Sequence, residues 1–226
     1  MSQPGKDTKS QRRQPLERRV IAEKALELID SDGLETLSMR RLGTALGVEA
    51  MTLYHHFRNK AELLDGVLEL LVEEMEVGLV ESDPPLKRLR RVFENIRQIA
   101  IRHPSAYVLV ATRRFRTIAT LEFYERLLQT FREAGFNAEA SARYFRVLAG
   151  FVNGAGLAEV GSRGLQPDAT AIILEDFSDS ENFPRVTEVV PHLRVTKLDR
   201  IFAFGLDLIF SAMEMELRGL GQTACE

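Results

Sequence analysis

Residues 37–60 constrain this chain more than any other stretch: Leu-Ser-Met-Arg-Arg-Leu-Gly-Thr-Ala-Leu-Gly-Val-Glu-Ala-Met-Thr-Leu-Tyr-His-His-Phe-Arg-Asn-Lys. Leu37, Leu42, Ala45 and Leu46 supply the apolar side of a first short helix, which Ser38 caps. Gly47 stands where a helix C-cap needs a left-handed backbone, and Val48 fills the corner behind it. A second helix begins near Glu49. Its Leu53 and Phe57, four residues apart, form one buried stripe. Thr52, Tyr54, His55 and His56 form its other face, and all can hydrogen-bond. Two short helices around a tight turn, the second with a polar outer face, make a helix-turn-helix that presents its second helix to a DNA major groove.

The rest of the chain reads as helix throughout. A first helix spans about Pro15 to Ser31, with Leu16, Val20, Ala25, Leu28 and Ile29 at helical spacing and Asp32-Gly33 as its stop. Asn59 caps a long helix running to about Val80, with Glu62 three residues on in a variant of the capping box. Helices follow at about Leu86–Arg102, from His103-Pro104 to Arg113, at Ile118–Ala134 and at Ala138–Val160. The Ala138–Val160 helix is rich in small residues, among them Gly150, Gly154 and Gly156. Each interior glycine costs about 1 kcal/mol against alanine, so several together point to close backbone approach. The pattern fades over 161–194, apart from a short helix near Ala169–Glu175, and a final helix spans about Val195 to Leu217. That helix is apolar nearly all round and reads as buried on more than one side. No strand alternation appears, so the expected fold is all-α.

A chain of 226 residues, 45% hydrophobic, can bury a substantial core in two units. The reading divides it into a basic arm at 1–14, a DNA-binding unit at 15–60 and a helical body at 61–226. Residues 1–60 carry 11 Lys and Arg against 8 Asp and Glu, and residues 61–226 carry 19 against 25. A basic headpiece on an acidic body is the asymmetry of a modular DNA binder. No apolar run approaches the roughly 20 residues of a membrane helix, and no apolar segment opens the chain, so a cytosolic protein is expected. Cys225 is the only cysteine, which leaves no intrachain disulfide or thiolate metal site. Adjacent His55 and His56 point about 100° apart and have no third ligand, so no metal or cofactor is expected.

Val48, Thr52-Leu53-Tyr54, His56-Phe57, Asn59-Lys60 and Glu62-Leu63-Leu64 match the signature of the TetR family of transcriptional repressors, and the resemblance runs from about Leu16 to Leu71. It implies roles by position. Arg40 matches a base-reading arginine, and Ala50, Met51 and Thr52 match the base-contacting start of the recognition helix. Tyr54 and His55 sit where the family touches bases and backbone, and His56 and Lys60 sit at phosphate-contact positions. Ala50 and Met51 are apolar and suit thymine methyl groups better than hydrogen bonds. The resemblance also implies a homodimer on a palindromic operator, paired through the glycine-rich and final helices. It implies release when a small-molecule inducer enters the body and the long helix after Asn59 swings.

The body is similar to the tetracycline repressor subfamily in its Phe-Gly-Leu-Asp-Leu-Ile ending and in Ala111-Thr112-Arg113. The histidine that positions tetracycline's magnesium falls at Leu109 here, and the inducer-contacting histidine of the long helix has no counterpart, so tetracycline–magnesium is not expected. Arg113, Asn95, Leu109, Leu127, Phe145 and Ala149 fall at or near the subfamily's pocket positions, with Phe93, Tyr107 and Phe123 as further aromatic wall. These side chains imply a mostly apolar inducer with one polar or anionic end. An enzyme is not expected: there is no Ser/His/Asp order, phosphate loop or metal-ligand spacing. The remaining rival is a ligand-independent DNA-binding regulator or architectural protein.

Overall fold

Polar side chains set where four of the helices begin. The computed structural model describes residues 16–113, 116–161, 183–193 and 198–223. Ser38 Oγ accepts the Arg41 N–H at 3.2 Å and starts α2 (Met39–Leu46). Asn59 Oδ1 accepts the Glu62 N–H at 2.9 Å and starts α4 (Lys60–Glu76). Asn137 does the same for α8 (Ala138–Val160), and Thr117 exchanges hydrogen bonds with Thr120 at the start of α7 (Ile118–Glu133). Each cap satisfies a backbone donor that has no partner within its helix. The other helices are α1 (Arg18–Asp32), α3 (Ala50–Tyr54), α5 (Pro85–Arg102), α6 (Tyr107–Thr112), α9 (Pro184–Leu193) and α10 (Leu198–Thr223). Among the described residues every regular element is helical.

Two layers share one core. In the headpiece, α1 packs along α4 and against α2, which pairs with α3. In the body, α5 packs along α8, with α6, α7 and α10 around them. Ile21, Ala25 and Ile29 of α1, Leu63, Val67 and Leu71 of α4, and Leu89, Phe93 and Ile99 of α5 are all fully buried in one continuous cluster. One buried ion pair crosses the body: Arg97 of α5 contacts Glu159 of α8 and lies 2.7 Å from Asp199 of α10.

Several expected boundaries move. The buried side of α2 is Met39, Leu42 and Gly43, with Leu46 half-buried, and Ala45 is exposed. Positions 39, 42, 43 and 46 are the helical register of its buried side. α4 ends at Glu76 rather than near Val80. A side chain at Gly78 would meet the backbone of Val92 at 2.6 Å, so the chain crosses α5 closely just beyond the helix. α9 lies where the periodicity fades. Its Pro184 suits a first helical turn, which lacks an N–H partner anyway. α10 runs to Thr223, past the expected end at Leu217, because an interior glycine such as Gly219 costs a helix only about 1 kcal/mol. The expected helix near Ala169–Glu175, the arm at 1–14 and Cys225 lie outside the described residues.

Gly47 caps α2 at φ 68°, the left-handed conformation read from the sequence. Gly43 matters for a different reason. A methyl there would lie 2.9 Å from the Val48 carbonyl oxygen and 3.2 Å from the Ala50 nitrogen, against rigid backbone. Gly43→Ala is therefore expected to destabilise the headpiece by about 1–3 kcal/mol by forcing the turn apart. Urea unfolding would check this, and a stability equal to or above the parent's would contradict it.

Candidate nucleic-acid interface and ligand cavity

α3 is anchored from beneath and open above. Leu53 and Phe57 are 0% and 1% exposed, whereas Met51 is 68% and Tyr54 43% exposed. His55 is also exposed, while Ala50, Thr52 and His56 are half-buried. After Tyr54 the chain continues as a hydrogen-bonded turn, with both His56 and Phe57 donating to the Leu53 carbonyl. Arg18 of α1 holds this turn. Its guanidinium donates to the His56 carbonyl, lies 3.0 Å from Glu62 Oε1 and sits 4.1 Å over the Phe57 ring. Glu62 also accepts the Arg58 N–H at 2.8 Å, and these donors hold its carboxyl below the ordinary range. The capping glutamate thus serves the residue before Asn59 instead of Asn59 itself.

Beside α3, the outer side of α2 lines an open hollow of about 410 Å³ with Ser38, Arg40, Arg41, Thr44 and Ala45, and Leu28 of α1 closes it. Arg41 pairs with Asp32, whereas Arg40 is exposed and has no ion pair among the described residues. Lys60 is half-buried, its ammonium 3.5 Å from the Leu34 carbonyl. A free guanidinium, hydroxyls and imidazoles on one outward surface can meet both base edges and phosphates.

The body encloses a small cavity of about 60 Å³. Phe93 and Ile96 of α5, Phe123, Tyr124 and Leu127 of α7, and Phe145 and Ala149 of α8 form most of its wall, with Met75, Val110, Val152 and Asn153. Tyr124 stands edge-on to Phe145, ring centroids 5.4 Å apart, and burial pushes its phenol pKa up. Leu127, Phe145 and Ala149 of the expected pocket set are here, as are Phe93 and Phe123. Leu109 and Tyr107 are buried, and Asn95 is half-buried, but none of the three lines the cavity. Tyr107 donates instead to the Val152 carbonyl and to Asn153 Oδ1, both at 3.3 Å, so it supports the wall from behind. Arg113 is elsewhere: its Nη2 lies 2.5 Å from Asp65 Oδ1 and 3.0 Å from the Ala61 carbonyl, tying the end of α6 to α4. Sequence reasoning missed Tyr124 and Asn153, the two polar groups of the wall.

A helix-turn-helix carried on a helical body with an internal cavity defines the class of one-component DNA-binding regulators, in which one chain holds both the DNA reader and the ligand domain. Residues 21–67 match the family described as bacterial regulatory proteins, tetR family, and residues 85–217 match the tetracyclin repressor-like C-terminal domain. The chain belongs to the TetR family of transcriptional regulators, and its C-terminal domain is of the ligand-binding type. It is 35% identical over 94 residues to an HTH-type transcriptional regulator of Saccharopolyspora erythraea, an alignment spanning 41% of this chain and only 39% of that protein. Identity to the class D tetracycline repressor of Escherichia coli is 26%, over 92% of this chain and 93% of that one. In fold it resembles the Streptomyces coelicolor TetR family protein ActR in complex with (S)-DNPA, with a TM-score of 0.75, 26% identity and coverage of 91% and 99%. No helix among the described residues is long and apolar enough to cross a membrane.

Proposed function

We propose that this regulator is a homodimeric repressor that holds a palindromic operator through two headpieces and releases it when a small, mostly apolar inducer enters the body. Residues 15–60 read the DNA, and residues 61–226 pair the subunits and take the inducer. One observation carries the dimer. α8 and α10 pack on each other, yet each leaves an apolar stripe exposed: Val147 and Leu157 on α8, and Ile201, Phe204, Leu208 and Met215 on α10. Among the described residues a side chain at Gly150 or Gly154 would meet nothing within 4 Å, so their small size serves no contact there. A second copy laid across these helices gives the stripe a cover and the glycines a purpose.

The inducer this cavity suits is uncharged. The wall offers the Tyr124 hydroxyl and the Asn153 amide and carries no charged side chain, while Arg113, the expected partner of an anionic end, is committed to Asp65. At about 60 Å³ the cavity is smaller than the roughly 300 Å³ of a modest ligand site, so entry requires α7 and α8 to part. α4 contributes Met75 to the same wall, and that displacement can reach the headpiece through it. ActR's complex with (S)-DNPA supports a ligand-taking body on this fold.

On the DNA side, Arg40, Ala50, Met51, Thr52, Tyr54 and His55 face the groove, and His56 and Lys60 meet phosphates. Arg40→Ala is expected to relax specificity at one base position, costing about 1–3 kcal/mol there. Lys60→Ala is expected to weaken all sequences alike. Equal losses across every operator variant for both proteins would overturn these assignments. The reading as a whole is tested by selecting bound sequences from a random DNA pool at near-physiological salt. Two short half-sites related by a dyad are the expected result, and no enriched motif would defeat it.

A further inference from the structure

Apart from α4 itself, the headpiece meets the body at a small polar cluster. His103 follows α5, and its carbonyl accepts the Ala106 and Tyr107 N–H groups at 3.1 and 2.8 Å, so its backbone is fixed by the start of α6. Its side chain lies between two carboxylates from different elements. Nδ1 is 2.7 Å from Asp30 Oδ2, near the end of α1, and Nε2 is 3.2 Å from Glu74 Oε1 on α4. Arg102 of α5 completes the cluster, 2.6 Å from Glu74 Oε2. The ring is largely buried, with 18% of its side chain exposed, and Asp30 Oδ1 is buried without a hydrogen-bond partner.

The geometry selects a protonation state. A neutral imidazole has one N–H and one lone pair. If Nδ1 donates to Asp30, an unprotonated Nε2 turns its lone pair toward the Glu74 oxygen. Only the imidazolium keeps the hydrogen bond to Asp30 and also sets its positive charge 3.2 Å from the Glu74 carboxylate. Other polar links from the headpiece, such as Arg19 with Glu73, reach α4. The bond from His103 to Asp30 bypasses α4 and joins α1 directly to the α5–α6 corner.

We infer that His103 is a positioning residue: as an imidazolium between Asp30 and Glu74 it fixes how the headpiece sits on the body, so the headpiece's fit to DNA changes when that proton leaves. The inference rests on DNA binding by the headpiece. The hydrogen bond to Asp30 and the charges of Asp30 and Glu74 hold His103 above its ordinary pKa, against desolvation and Arg102. A group raised in the folded state contributes fully below its unfolded value of about 6.5 and loses that contribution as pH rises through the raised value. The junction is therefore firm in mild acid and loosens on the alkaline side.

The test compares the full-length protein with His103→Gln on its selected operator at constant ionic strength, from about pH 6 to about pH 8.5. His55 and His56 remain in both proteins, so their titration at the DNA surface cancels in the ratio of affinities. That ratio is expected to change by about threefold or more across the range, the scale of one modest coupling. A constant ratio overturns the inference. Should His103→Gln not fold, Asp30→Asn serves, with the His103 ring proton followed by NMR. Its midpoint in the parent is expected above about 6.5 and closer to that value in Asp30→Asn. An ordinary midpoint, unmoved by Asp30→Asn, overturns the inference even for a protein that binds no DNA.

Discussion

Phe204→Arg is expected to leave each subunit folded and to weaken operator binding by about 100-fold or more, toward the non-specific level. Phe204 is 62% exposed in the single chain, so an arginine at this position displaces nothing from the core. Across a pairing face it would bury a charge with no partner, at a cost of several kcal/mol per ion. The same charge would be repeated on the other subunit. A subunit separated from the proposed dimer would read one half-site and lose the geometric link that lets two headpieces bind as one. Light scattering at micromolar concentration and DNA titration check the two halves of this expectation. A dimeric mass in the variant would move the pairing face elsewhere. A halved mass with unchanged affinity would remove the need for a dimer.

Gly156→Ala is expected to cost about 2–4 kcal/mol, although alanine is the better helix former by about 1 kcal/mol. A methyl at this position would overlap the ring of Tyr107. Tyr107 is fully buried, and its hydroxyl donates into α8 beside the cavity, so the ring has nowhere to go without losing those hydrogen bonds. Overpacking and an orphaned hydroxyl outweigh the gain in propensity. Tyr107→Leu in the same chain removes the ring and should recover part of the loss. Urea unfolding of the two single variants and the pair gives the coupling directly, at fixed protein concentration because the proposed pairing would add to stability. Additive losses would show that the ring and the glycine do not meet.

These two positions mark where sequence reading succeeds and where it stops. The glycine-rich stretch of α8 signals close approach, and that much follows from the cost of glycine in a helix. It does not say that Gly156 receives a ring from within the subunit while Gly150 and Gly154 face open space. The same limit appears around the cavity. Leu127, Phe145 and Ala149 line its wall, because helical spacing carries them to one side of α7 and α8. Arg113 does not, because its direction depends on Asp65, 48 residues earlier on another helix. His103 reads in the sequence as a breaker before Pro104. Its two carboxylate partners come from positions 30 and 74, and no local pattern relates them.

The sequence by itself determined the helix-turn-helix, its capping residues Ser38, Asn59 and Asn137, the left-handed Gly47, the all-helical body and the family. The caps, the turn and the helices depend on residues within a few helical turns of each other, where spacing and backbone preference carry the information, and the family is read from such local motifs strung along the chain. Only the tertiary structure decided which wall the cavity has, where Arg113 is spent, and how His103 joins the headpiece to the body. Those outcomes depend on side chains from separate helices meeting in a shared core. The direction each one takes is set by packing density and charge pairing across the fold, not by neighbours along the chain.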